Sequence, residues 1–343
     1  MEINNSMDVV KKEVITKKRI DWIDKAKGIG IILVMLGHCY LSNDLTFWFF
    51  SFHMPLFFLL SGYTFSDKGK YFDFLKKKMK TLLVPYIFFV IITMCCNGIL
   101  AITHNSSYAI IAILKLYILQ CRYTPLWFIT CLFISEQLMY LVSNISKMVN
   151  NSNLFFFSGL IWFLIFYFYK IFIDINLPWN MDLSLLACAF MCIGKWLKEI
   201  NLFDKIKGNN WSLCVVISIV SILISGINYF YYGKVDWYSN AFGNPILYLF
   251  SAVIGVFTTI LISMNIKSAV LTALGRNSLL FFGLHRIIID LTFVFYNKLG
   301  FTIQLNNYIS LIFALFSVII TIAILWPINY IVLKYLPWCL GKK

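Results

Sequence analysis

The chain has 343 residues, 60% of them hydrophobic and 13% charged, with a mean hydropathy of +0.80 and a formal net charge of +14. Soluble domains carry about a quarter charged residues, so a water-soluble globular protein is excluded and an all-α, polytopic membrane protein is expected. The positive balance reads as membrane topology and attraction to anionic lipid head groups, not as nucleic-acid binding.

Residues 1–25 are polar and charged and lack the apolar core of a cleavable signal peptide. They are expected to form a cytoplasmic tail ahead of an uncleaved anchor. A helix needs about 20 apolar residues to cross a bilayer. Such runs predict ten spans, at roughly 26–41, 47–66, 82–102, 125–143, 154–173, 181–197, 211–232, 245–264, 278–297 and 308–333. Together they form one transmembrane domain over 26–336, with a short cytoplasmic tail at 337–343. The apolar stretch Ala109 to Gln120 is short and carries Lys115. It reads as an interfacial or re-entrant helix, an eleventh span being the alternative.

With these spans, lysine and arginine gather on one set of loops: Lys11 to Lys27, Lys68 to Lys80, Lys147, Lys195 to Lys207, Lys267 and Arg276, and Lys334 to Lys343. The alternate loops hold Lys115, Arg122, Lys234 and Lys298. That asymmetry places both termini in the cytoplasm. Trp127, Trp162, Trp179, Trp237 and Trp326 fall near span ends, where an aromatic belt belongs. The nine cysteines are odd in number and mostly within spans, so they read as packing residues and no metal is expected.

The four histidines are more informative. His38 closes the run KAKGIGIILVMLGHCY (Lys25 to Tyr40), and His53 sits inside FWFFSFHMPLFFLLSGYTF (Phe47 to Phe65). They flank a short turn, so an antiparallel hairpin is expected to hold them at the same depth in the outer half of the membrane. Lys27 precedes His38 by eleven residues. That is about three helical turns, one face and about 16 Å along the axis. Ionisable groups inside a membrane are costly and mark a path or a reaction, and imidazole moves protons near neutral pH. The alternative is a neutral histidine that only hydrogen-bonds between helices. Asp44, in the turn, is a candidate to hold a ring nitrogen, against a merely solvated aspartate. Glu136 lies within the fourth span and is expected to face a polar cavity or stay protonated. Arg286 and Asp290 are four apart and are expected to pair on one helix face. His104 reads as a solvated loop residue.

Five fragments in order resemble the acyltransferase 3 family of membrane O-acyltransferases. Lys27-x10-His38, within DWIDKAKGIGIILVMLGH, resembles its N-terminal signature. FSFHMPLFFLLSGYTF (Phe50 to Phe65) and FLKKKMKTLLVPYIFF (Phe74 to Phe89) resemble its second and third spans. PLWFITCLF (Pro125 to Phe133) and LGRNSLLFFGLH (Leu274 to His285) resemble later elements of the polysaccharide and fucose O-acetylase branch. Lys27 stands where many members have arginine, which keeps the charge and loses the planar fork.

Usage rich in Phe, Ile, Lys and Asn points to a bacterium with an AT-rich genome, and with the apolar runs to a multi-pass protein of its inner membrane, while the resemblance implies an enzyme. It would move an acetyl group from acetyl-CoA to a sugar hydroxyl of a surface polysaccharide, lipid-linked glycan or small glycoside. His38 is the expected general base, or alternatively a nucleophile that carries the acyl group. His53 would orient the acceptor or His38, or relay a proton. Lys27, Lys76, Lys77, Lys78 and Lys80 would attract the donor's phosphates, and His285 would line the donor path. Glu136, Arg286, Asp290 and Asp44 are supporting candidates. The competing readings are a proton-coupled transporter or flippase, a succinyl or other acyl donor, and a non-catalytic component of polysaccharide export.

Overall fold

Long apolar runs leave the backbone one local way to satisfy its N–H and C=O groups away from water, the α-helix. A computed structural model describes residues 19–103, 110–206, 210–301 and 308–342, and among the described residues no strand forms. The tail residues 1–18, Lys207 and His104 lie outside the described residues.

The chain opens with α1 (Asp21–Gly37), α2 (Asn43–Phe50) and α3 (His53–Tyr63). Next come α4 (Tyr71–Lys78), α5 (Val84–Thr103) and α6 (Ile110–Leu119), then α7 (Trp127–Val149), α8 (Asn153–Phe172), α9 (Met181–Glu199) and α10 (Leu202–Lys205). The remainder is α11 (Trp211–Tyr232), α12 (Pro245–Asn265), α13 (Ala269–Arg276), α14 (Ser278–Lys298) and α15 (Tyr308–Tyr335). Among the described residues, nine helical stretches are long and apolar enough to cross a membrane, and they coincide with the second to tenth expected spans. The chain is a polytopic, all-helical membrane protein. Helix α6 has ten residues, too few to span.

The first expected span differs in its limits. Helix α1 begins at Asp21 and ends at Gly37, 17 residues in all, or about 25 Å. Asp21 and Asp24 in its first turn favour an earlier start, because carboxylates stabilise the positive end of the helix dipole. Its early end makes His38 the C-cap residue and not part of the helix. The second span also breaks, between Phe50 and His53. Pro55 has no N–H to continue a helical ladder back to Ser51, so the break falls where proline tolerates it, just before a new first turn. The Ser51 hydroxyl donates to the Trp48 carbonyl there, at 2.6 Å. Between α4 and α5 a π turn, Met79–Leu83, opens the ladder just ahead of Pro85.

Glycine sets how closely helices meet. A Cβ on Gly194 would stand 2.0 Å from the Leu59 carbonyl oxygen, and one on Gly62 would stand 2.0 Å from that of Met191. Helices α3 and α9 therefore touch backbone to backbone, as small residues allow in membrane bundles.

The segment after α11 corrects one expectation. Trp237 is not in an interfacial belt but 2% exposed, stacked on Phe58 at 5.2 Å and on Trp127 at 6.2 Å. The segment turns back on itself through the Asp236–Ala241 bridge and carries Trp237 and Phe242 into the core. The buried amide of Asn228 holds it, donating to Phe242 O at 3.0 Å and accepting from Asn244 N at 2.9 Å. Gly243, at φ +67°, lies against that amide, where a side chain has neither the room nor the conformation.

Candidate active site

His38 projects from the C-terminal end of α1 toward α14, the helix beside it. The rings of His38 and His285 lie 5.0 Å apart at 50°. Arg286, next on α14, places Nη1 3.3 Å from His38 Nδ1. The rest of its guanidinium is anchored: Nε donates to Asp290 Oδ2 at 2.8 Å and Nη2 to the Tyr40 hydroxyl at 2.7 Å. Tyr40 in turn donates to Asp290 Oδ1 at 2.9 Å. A guanidinium has donors only, so His38 Nδ1 accepts, and the neutral ring carries its proton on Nε2.

The other two imidazoles have the opposite arrangement. His285 Nδ1 donates to the Phe282 carbonyl at 2.7 Å, which leaves Nε2 as a bare lone pair, buried and without a hydrogen-bond partner. His53, the first residue of α3, donates from Nδ1 to the Phe49 carbonyl at 2.9 Å, so its Nε2 is also an acceptor. Phe50 links His53 to His38. Its ring lies 4.9 Å from the His53 ring and packs against Gly37, with 3.1 Å to a Cβ built there. The Lys234 ammonium lies 3.5 Å from the centre of the same Phe50 ring. Of the three imidazoles, His38 alone belongs to a residue that is only partly buried.

The structure therefore brings His38, His285, Arg286 and Asp290 together and sets His53 one phenyl ring away. The remaining candidates lie elsewhere. Lys27 is half-buried near the opposite, lysine-rich end of α1 and forms no ion pair among the described residues. Its neighbour Asp24 is held by Arg19 at 2.9 Å and Arg276 at 3.1 Å. Lys76, Lys77 and Lys80 are exposed on that end, whereas Lys78 pairs with Glu136 at 2.5 Å. Glu136 thus has a cationic partner, is not a lone intramembrane carboxylate, and is not part of the histidine cluster. Asp44 accepts from the Tyr229 hydroxyl at 2.7 Å, where a ring nitrogen was the sequence-based alternative. A cleft of about 750 Å³ opens on the lysine-rich end, lined by Asp21, Lys25, Lys267, Ser268, Thr272 and Arg276.

Sequence reasoning missed Tyr40 and Lys234. Tyr40 carries one signal, its place two residues after His38. Lys234 carries another, as one of the few cations on the lysine-poor loops.

Chemically, the cluster offers a hydroxyl a place to lose its proton beside a fixed cation, with a second imidazole lone pair close behind. Over residues 20–329 the chain matches a family model described as an acyltransferase domain. No curated protein and no solved structure matches it.

Proposed function

The chain belongs to this family of acyltransferase domains, and from that premise we propose that it moves an acetyl group from acetyl-CoA to a sugar hydroxyl of a surface or lipid-linked glycan. It is a multi-pass membrane acyltransferase by family and by its apolar helices. The lysine-rich end is taken as cytoplasmic, in a bacterial inner membrane. Lys27 and the exposed Lys76, Lys77 and Lys80 attract the phosphates of the donor there, as point charges. The donor's pantetheine arm then runs up α1 toward His38, about 16 Å away along the helix axis.

The contact between Arg286 and His38 Nδ1 carries this reading. The acceptor hydroxyl replaces the guanidinium at Nδ1 and gives up its proton to that lone pair as its oxygen attacks the thioester carbonyl. The new C–O bond forms, the C–S bond breaks, and the coenzyme leaves as a thiol once it regains a proton. General-base help of this kind is worth about 10²–10⁴ in rate. Arg286, held by Asp290 and Tyr40, stays beside the reacting oxygen and stabilises its developing negative charge. His285 offers its bare Nε2 to receive a proton from His38, and His53 presents its free Nε2 toward the acceptor.

The test uses membranes carrying the protein, labelled acetyl-CoA and glycan extract. Base-labile label in glycan with the wild type, lost in His38→Ala, is the expected result. Absence of label with both sinks the acetyl-to-glycan reading and favours a carrier or another acyl donor. Equal label with both removes His38 from the chemistry.

A further inference from the structure

The segment from Gly233 to Asn244 is built as a rigid arm. Val235, Trp237 and Phe242 are buried beneath it. The Asn228 amide ties its returning half, and the Asp236 carboxylate accepts from Tyr238 N at 3.0 Å and from the Ser239 hydroxyl at 2.7 Å. Lys234 lies between the end of α11 and the Asp236 turn. Its ammonium is half-buried over the face of Phe50. The same ring touches His53 and the backbone beside His38, so the charge of Lys234 acts on both imidazoles.

No anion touches this cation: the Asp236 carboxylate acts on it through space without pairing with it. Among the described residues Lys234 forms no ion pair, and Asp236, two residues on, is spent on its own turn. Arg286, the other cation of the cluster, is matched by Asp290. The cluster thus holds two fixed cations, three imidazoles and the paired carboxylate of Asp290, with Asp236 acting on Lys234 and His53 from its own turn. Phe50 offers its ring quadrupole to Lys234, which is a partial negative face and not a counter-charge. A half-buried ammonium with no carboxylate partner is a charge-assisted donor available to a ligand. It lies on the lysine-poor side of the fold, away from Lys27 and the cleft at the lysine-rich end.

We propose that the acyl acceptor is an anionic glycan, bearing a carboxylate or a phosphate, and that Lys234 binds that anion and so sets the neighbouring hydroxyl before His38. This rests on the glycan-acceptor reading above and adds the substrate class. Lys234 makes acceptor selection a matter of charge: a neutral sugar meets the same imidazoles but leaves the ammonium unpaired, whereas an acidic one completes it.

The experiment is equilibrium binding to the purified full chain in zwitterionic nanodiscs. The probes are uronic-acid oligosaccharides with their carboxyl-reduced counterparts, and sugar phosphates with their dephosphorylated counterparts, so that the two anion types are read separately. The expected result is at least one acidic probe bound about tenfold or more tighter than its neutral partner. Lys234→Met should abolish that preference without lowering the melting temperature, Lys234→Arg should keep it, and Lys115→Met, an exposed lysine on another segment, should leave it intact. Equal binding within every pair, or a preference that survives Lys234→Met, overturns the proposal. Labelled acetyl transfer is followed on the same preparations. A Lys234-dependent preference without transfer keeps the anion site and sinks the acetyl-transfer reading. Transfer that is indifferent to Lys234 and to acceptor charge does the reverse.

Discussion

Nη1 of Arg286 lies 3.3 Å from Nδ1 of His38, across a sequence separation of 248 residues. The contact assigns the tautomer of the histidine, since a guanidinium only donates. It also places a fixed cation beside the nitrogen proposed to take the acceptor's proton. Asp290 and Tyr40 hold the fork from behind, so Arg286 positions charge without needing to reorganise.

Replacing Arg286 by methionine is expected to lower kcat by about 10²–10³, the usual loss for one preorganised oxyanion donor. Arg286→Lys should recover only part of this, because an ammonium cannot make the contacts to Asp290, Tyr40 and His38 together. Tyr40→Phe, which removes one anchor, should cost less than either. Steady-state kinetics on the three variants in one membrane preparation checks the order; a Lys variant equal to wild type would show that the fork geometry is irrelevant.

His38→Ala should lower transfer by about 10²–10⁴ while leaving the melting temperature nearly unchanged. The residue caps a helix with its backbone, and its ring, unlike that of His285, is not fully buried. His285→Ala should instead lose both activity and stability, since its ring is fully buried and donates to two carbonyls of its own helix. Thermal unfolding in detergent beside the transfer assay separates the two behaviours.

Helices α3 and α9 should not tolerate a side chain at their crossing. Gly194→Ala places a methyl group 2.0 Å from the Leu59 carbonyl oxygen, so one helix must move. Overpacking of this kind costs about 1–3 kcal/mol. Gly233→Ala, with nothing within 4 Å of its Cβ but φ at +93°, tests backbone strain alone and should cost about 1 kcal/mol. Denaturation midpoints that are equal for Gly194→Ala and wild type would show that the contact is looser than described.

Asp67, in the loop between α3 and α4, gives a pH dependence outside the membrane-spanning segments. Burial pushes its carboxyl up, but the Lys147 ammonium at 2.5 Å and the Ser143 hydroxyl at 2.5 Å more than offset this, and the group titrates below its ordinary 3.8. A depressed carboxylate contributes stability that is present above its unfolded value and lost as pH falls through the folded one. With Lys147 exposed to solvent the contribution should be at most about 1 kcal/mol. Asp67→Asn should thus be less stable than wild type above about pH 4, with the gap closing as the pH drops below 3.8. A gap that widens on acidification would contradict the ion pair.

How much of this was legible in advance depends on range along the chain. All ten expected spans appear as helices, nine of them long and apolar enough to cross a membrane, because uninterrupted apolar runs determine backbone conformation locally. The Arg286–Asp290 pair was legible because four residues along a helix is a contact by geometry. The candidacy of His38 and His53 followed from imidazoles placed where charge is expensive. By contrast, the early end of α1 at Gly37 depended on its neighbours, since apolar sequence continues past it into Cys39 and Leu41.

The sequence by itself determined that the chain is helical, membrane-embedded and polarised, with lysines gathered at one end and two histidines away from it. Hydropathy and charge act residue by residue, and they need no partner to be read. Only the tertiary structure decided that His285 and Arg286 meet His38, that Glu136 is satisfied by Lys78, and that Trp237 belongs to the core. It also decided that Lys234 is held over Phe50 beside the imidazoles. Those relationships depend on which helix face packs against which, and apolar faces in a membrane bundle are chemically alike. Their pairing is selected by shape, such as the glycines that let α3 and α9 touch, and by a few polar contacts made only once the helices have assembled.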